Sequence, residues 1–155
     1  ITNMANISAH LFQAFADAAL PSSSDSEGSK VKRVNWLGFY YVDSTRPTTH
    51  LVLGPFNGKP ACTQINVTPD EGKGVCAASF KKSEAVIVSD VHHFDGHIAC
   101  DAASQSEIVV PVIRASDGKT VGVLDVDSPD LDTFDEQDKL FFETVAALVS
   151  EASDW

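Results

Sequence analysis

Glu107 to Asp127 reads EIVVPVIRASDGKTVGVLDVD. Two runs rich in valine and isoleucine flank Ser116-Asp117-Gly118-Lys119, and Asp-Gly between apolar runs is a strong short-range hairpin signal. Glu107–Arg114 and Thr120–Asp127 are therefore expected to be antiparallel partners. Pro111 removes a ladder donor and places its strand at an edge or a bulge. Along the second strand, period two puts Val121, Val123, Asp125 and Asp127 on one face. Two carboxylates two residues apart on a strand sit about 7 Å apart.

The neighbouring segments extend this pattern. Arg33 to Val42 (RVNWLGFYYV) alternates, with Trp36, Gly38 and Tyr40 on one face and Leu37, Phe39 and Tyr41 on the other. His50 to Phe56 is its hairpin partner, after a turn carrying Pro47. Ala85 to Val88 (AVIV) reads as a short buried strand, and Val75 to Lys81 as a short helix. Asn3 to Leu20 carries Met4, Ile7, Leu11, Phe12, Phe15 and Ala19 at helical spacing and stops at Pro21. The closing helix is expected to bury Phe134, Leu140, Phe141, Val145, Leu148 and Val149, with Thr133 and Glu136 as its capping box. Ser22 to Lys30 and Asn66 to Glu71 read as polar loops. The sum is an α+β fold, an antiparallel sheet with the terminal helices packed on one face.

Composition narrows the function. The chain has 155 residues, enough for one domain with a real core, spanning residues 1–155. It carries 22 Asp and Glu against 11 Lys and Arg, which argues against nucleic acid or an anionic membrane surface as partner. No apolar run approaches the roughly 20 residues of a membrane span. Three cysteines, an odd number, do not make a disulfide framework and point to thiols of a cytoplasmic protein. The chain opens on Ile1 rather than a methionine, which reads as a trimmed first helix.

Between Cys76 and Pro111 lie two of those cysteines and three of the five histidines. Ser89 to Gln105 is a long stretch without periodicity, of the kind that is functional when it sits inside a compact domain. Cys100, in Gly96-His97-Ile98-Ala99-Cys100-Asp101, sits among loop amides beside a histidine, a setting that suits a reactive thiol. Cys76 opens a helix after Gly72-Lys73-Gly74, where orphan amides and the helix dipole favour a thiolate. Cys62, Cys76, Cys100 and His97 could supply four metal ligands, but the short knuckle spacing of structural zinc sites is missing. Redox chemistry without metal or cofactor fits better. One thiolate attacks an electrophilic sulfur or oxygen, a second thiol resolves the sulfenic acid, and a carboxylic acid protonates the leaving oxygen. Glu107, Asp125 and Asp127 are the candidate acids, and the Trp36/Tyr40 face is a candidate pocket wall. An ordinary aromatic core, with Gly38 giving way to a neighbour, is the competing reading of that face.

With these residues assembled, the chain resembles the free methionine-(R)-sulfoxide reductases, a branch of the GAF-domain family. The resemblance runs through NWLGFY (Asn35–Tyr40), GPFNGKPAC (Gly54–Cys62), GKGVC (Gly72–Cys76), DVHHFDGHIACD (Asp90–Asp101), SEIVVP (Ser106–Pro111) and GVLDVDS (Gly122–Ser128). It implies a GAF-like six-stranded antiparallel sheet and reduction of free methionine-R-sulfoxide, with thioredoxin as electron donor and a homodimer as the assembly. By the same resemblance Cys100 is the nucleophile, Cys76 the resolving cysteine, and Cys62 a thiol able to take over the disulfide. Trp36 and Tyr40 would meet the substrate methyl group. Glu107, Asp125 and Asp127 would engage the sulfoxide oxygen and the α-amino group, and backbone amides around Ile98, Ala99 and Cys100 the α-carboxylate. The alternative is a non-catalytic GAF sensor binding a small ligand or cyclic nucleotide in the same cavity, which needs no reactive thiol.

Overall fold

A computed structural model describes residues 1–19, 31–45, 47–98 and 101–155. Ala99, Cys100 and the expected loop at Ser22–Lys30 lie outside the described residues. Helix α1 (Thr2–Ala18) precedes the hairpin of β1 (Trp36–Val42) and β2 (His50–Asn57). Strand β3 (Gln64–Asn66), helix α2 (Val75–Lys82) and strand β4 (Val86–Val88) follow. A 3-10 turn at Val91–His93 leads to β5 (Ser106–Ile113), β6 (Thr120–Ser128) and helix α3 (Glu136–Glu151). The six strands form one sheet in the order β3-β2-β1-β6-β5-β4, antiparallel throughout.

The alternation of β1 divides the core as expected. Leu37 and Phe39 join Met4, Ile108, Val110, Leu124, Phe142 and Val149 under the two terminal helices. Trp36 and Tyr40 join Val75, Cys76, Ala77, Val109 and Val123 on the opposite face, beneath α2. The terminal helices thus share one face, while short α2 covers part of the other. Pro111 pairs with Val123 beyond the last β4 partner, Val86↔Val109, and a bulge falls between Val112 and Ile113. The proline therefore sits where β5 is locally an edge, although β5 is an inner strand over most of its length.

Three local expectations are corrected. Strand β3 was not visible in the sequence; its three residues pair with His50, Leu51 and Val52, too few for period two to register. The cap of α3 is Asp135, whose carboxylate accepts from the amides of Gln137 and Asp138 while Asp138 answers to the amide of Asp135. Thr133 is engaged elsewhere: its hydroxyl bonds Asp130 O and Ser128 Oγ. The buried stripe of α3 is Phe142, Ala146 and Val149, and Leu140, Phe141 and Leu148 are 66%, 48% and 56% exposed. This helix is apolar on two faces, and the one carrying Phe142 wins because its ring packs against Phe15 and Phe134.

Gly38 is required by close packing. A Cβ there would lie 2.4 Å from Phe56 Cβ and 2.7 Å from the Trp36 ring. Trp36 stacks on Phe56 at 5.5 Å and on Tyr40 at 5.9 Å, so the gap beside the glycine is filled by its neighbours. Gly38→Ala should destabilise the fold by about 1–3 kcal/mol through overpacking, read as a lower urea midpoint. An unchanged midpoint would contradict this packing.

Candidate active site

Register brings the acids together. Across β5 and β6, Glu107 stands opposite Asp127 and Val109 opposite Asp125; across β6 and β1, Asp127 faces Trp36 and Asp125 faces Gly38. Directly opposed residues of an antiparallel pair share a face with Cβ atoms about 4.5–5.5 Å apart. All three carboxyls therefore point to the side covered by α2.

Gly74, in the left-handed region at φ 86°, turns the chain into α2 and sets Cys76 in its first turn. The Cys76 thiol donates to Asp125 Oδ2 at 3.3 Å. From the long 89–105 stretch, His97 Nε2 reaches to 3.6 Å from Glu107 Oε2. These groups line a cavity of about 80 Å³, several times the roughly 10–15 Å³ that one water needs. Cys62, Lys73, Ile98, Asp101 and Ser104 are among the other residues of its wall.

Burial sets the charge state here. Glu107, Asp125 and Asp127 are only 5%, 7% and 9% exposed. Burial, and then the charge of Asp127, pushes the Glu107 carboxyl well above the ordinary carboxylate range. Asp125 is raised by burial and by Glu107, and Asp127 by burial and by Asp125. Adjacent carboxyls in a dry site resist ionising together, so the set retains protons and titrates as a unit. The same forces overturn the thiolate expected at Cys76. Burial, then the charges of Asp125 and Glu107, pushes that thiol well above its usual value, outweighing the helix dipole. His97 is lowered by burial and favours its neutral form.

The structure thus gathers Cys62, Cys76, Ile98, Glu107, Asp125 and Asp127 around one hollow. Trp36 and Tyr40, 2% and 1% exposed, are packed into the core of the same face. The Trp36 indole donates to Lys59 O and the Tyr40 hydroxyl to Cys62 O, so both rings brace the 57–63 segment that carries Cys62. Ala99 and Cys100 lie outside the described residues, but the positions on either side of them, Ile98 and Asp101, both line the cavity.

Asp101 was not singled out from the sequence. Its carboxylate accepts from Ala103 N at 2.9 Å, Asn35 Nδ2 at 3.2 Å and Lys59 Nζ at 3.2 Å. The Ala103 amide, with Lys59 and Asn35, holds it below the ordinary carboxylate range. Asn35 also donates to Ser104 Oγ at 3.1 Å. The available signal was its position immediately after Cys100; its partners lie 42 and 66 residues away, beyond any local pattern.

A GAF domain profile matches residues 26–154. Over 152 residues the chain is 40% identical to a Saccharomyces cerevisiae protein described as free methionine-R-sulfoxide reductase, covering 98% of this chain and 74% of that one. The chain belongs to the GAF domain family, in its free methionine-R-sulfoxide reductase branch. An Escherichia coli member described by the same name is 42% identical over 122 residues, covering 79% of this chain and 68% of its own length. Among solved structures, the free methionine-R-sulfoxide reductase of Neisseria meningitidis in complex with its substrate superposes with a TM-score of 0.77 at 39% identity. That match covers 97% of this chain and 75% of the Neisseria chain. The sheet of six antiparallel strands and three helices is the GAF architecture of these reductases.

Proposed function

We propose that Cys100 is the nucleophile with which this chain, a free methionine-R-sulfoxide reductase, reduces the sulfoxide of the free amino acid. The carrying observation is the hollow itself: a buried thiol and three buried carboxyls with raised pKa values, walled by the two residues that flank Ala99 and Cys100.

Cys100 thiolate attacks the sulfoxide sulfur while a carboxylic acid protonates the oxygen, giving a sulfur bonded to both Cys100 and a hydroxyl. The hydroxyl then passes to the Cys100 sulfur as both of these bonds to the methionine sulfur break. Methionine leaves and Cys100 holds the oxygen as sulfenic acid. The proton is assigned to Asp127, a buried acid with a raised pKa that faces Trp36 across β6 and β1. Cys76 then displaces water from the sulfenic acid to form the disulfide. A thiol raised by burial needs a base, and Asp125, already accepting from that thiol, takes its proton. Cys62, on the same wall, is a second thiol able to accept the disulfide. A dithiol reductant of the thioredoxin type returns the protein to its reduced form.

Asp125 and Glu107 also receive the substrate α-ammonium, while amides around Ile98 and Ala99 take the carboxylate. A peptide-bound methionine offers no ammonium, so it would leave these buried acids unpaired. Trp36 and Tyr40 shape the site from behind, on the face where the methyl group would lie. Methionine release from free and peptide-bound substrate, in each sulfoxide epimer, tests this reading. Turnover of the free R epimer alone is expected, and equal rates on a peptide would refute it.

We further propose a cytoplasmic homodimer. No helix among the described residues is long and apolar enough to cross a membrane. The second apolar face of α3, with Leu140, Phe141 and Leu148 exposed, supports an assembly through this helix. The double substitution Leu140→Glu and Leu148→Glu should convert the protein to monomers by light scattering. A wild-type monomer, or a double variant that stays dimeric, would refute the interface.

A further inference from the structure

The donors that the proposed reduction uses separately also lie close enough together to meet at one point. Cys76 Sγ, a Glu107 oxygen and an Asp125 oxygen all lie within 4.8 Å of one another, and all three residues are buried. They come from three elements, α2, β5 and β6. Asp125, 7% exposed, directs Oδ1 into this interior, where that oxygen has no hydrogen-bond partner. On the rim, His97 Nε2 stands 3.6 Å from Glu107 Oε2. Among the described residues no Lys or Arg forms an ion pair with Glu107 or Asp125.

We propose that this cavity binds one thiophilic divalent cation of the zinc class through Cys76, Glu107 and Asp125, with its fourth position open. One thiolate and two carboxylates, with a fourth position left to water, match the tetrahedral preferences of such an ion. Metal–sulfur and metal–oxygen bonds of about 2.3 and 2.0 Å set those donors about 3.5 Å apart in a tetrahedron. The separation of up to 4.8 Å therefore closes with a contraction of about 1 Å, within reach of side-chain rotation. The sulfur excludes magnesium and calcium, which take oxygen ligands. Binding expels the Cys76 proton, so affinity rises with pH and at least one proton is released per ion. The ion would occupy the position assigned above to the substrate ammonium and hold the resolving sulfur. It would therefore inhibit in competition with substrate and block recycling.

The test uses the full chain, fully reduced, titrated with cadmium, whose thiolate charge-transfer absorbance reports metal–sulfur bonding without any turnover. One equivalent is expected to bind, both in wild type and in a Cys62→Ser, Cys100→Ser double variant. Cys76→Ser should lose the band, and Asp125→Asn should weaken binding at least about 10-fold, a loss that even a supporting residue can cause. Zinc should displace cadmium and magnesium should not. No band in wild type, a band surviving Cys76→Ser, its loss in the double variant, or undiminished affinity in Asp125→Asn would each overturn the site. If Cys76→Ser fails to fold by circular dichroism, Asp125→Asn and the double variant decide. Because the double variant lacks the proposed nucleophile, metal binding and the catalytic reading stand or fall separately.

Discussion

Cys100→Ser is expected to abolish methionine formation from free methionine-R-sulfoxide. Sulfur is needed twice in this account, first as a thiolate nucleophile and then as the atom that keeps the oxygen as sulfenic acid, and a serine hydroxyl does neither. Cys76 offers no detour, because burial and the charges of Asp125 and Glu107 hold its thiol well above its ordinary value. Cys76→Ser should behave differently. It should release about one methionine per chain in a single turnover and then stall, since only the resolving step is lost. Steady turnover surviving in Cys100→Ser and removed by a further Cys76→Ser change would move the nucleophile into α2.

The second large effect concerns the acids, and it separates two roles. Asp127→Asn removes the proposed proton donor and should lower kcat by about 10²–10⁴-fold, the usual range for a general acid. Asp125→Asn removes a partner of the substrate ammonium. A hydrogen bond to a charged group contributes about 1.5–3 kcal/mol, so kcat/KM should fall roughly 10–150-fold. A substrate analogue lacking the α-amino group should be insensitive to Asp125→Asn in its reductive half-reaction and remain sensitive to Asp127→Asn. If both variants respond identically to that analogue, the division of labour between the carboxylates is wrong.

Much of this arrangement was legible because strand periodicity is a strict rule. Trp36 and Tyr40 against Leu37 and Phe39, and Asp125 with Asp127, were assigned to faces from period two alone, and the two core clusters follow that division. The Asp-Gly hairpin was readable for a similar reason: Gly118 at φ 71° closes a turn that an Arg114–Asp117 pair braces. The phase of α3 was not readable. Its apolar residues satisfy helical spacing on two faces, and only the fit of Phe142 between Phe15 and Phe134 selects one. Strand β3 was too short to leave a pattern.

The character of Cys76 was misread for a different reason. Local sequence reports the helix terminus and its dipole, whereas the dominant influences are burial and a carboxyl 49 residues away. The bracing of Asp101 by Asn35 and Lys59 escaped notice for the same cause. Charges brought together by sheet register decide the electrostatics of this site, and register is a property of pairing rather than of any one segment.

The most direct measurement is disulfide mapping by mass spectrometry after reduced protein meets one equivalent of free methionine-R-sulfoxide with no reductant present. The account predicts one methionine released per chain and a bond joining Cys100 to Cys76, or to Cys62 after exchange. Methionine released with Cys100 still a free thiol, or no methionine released at all, would contradict it.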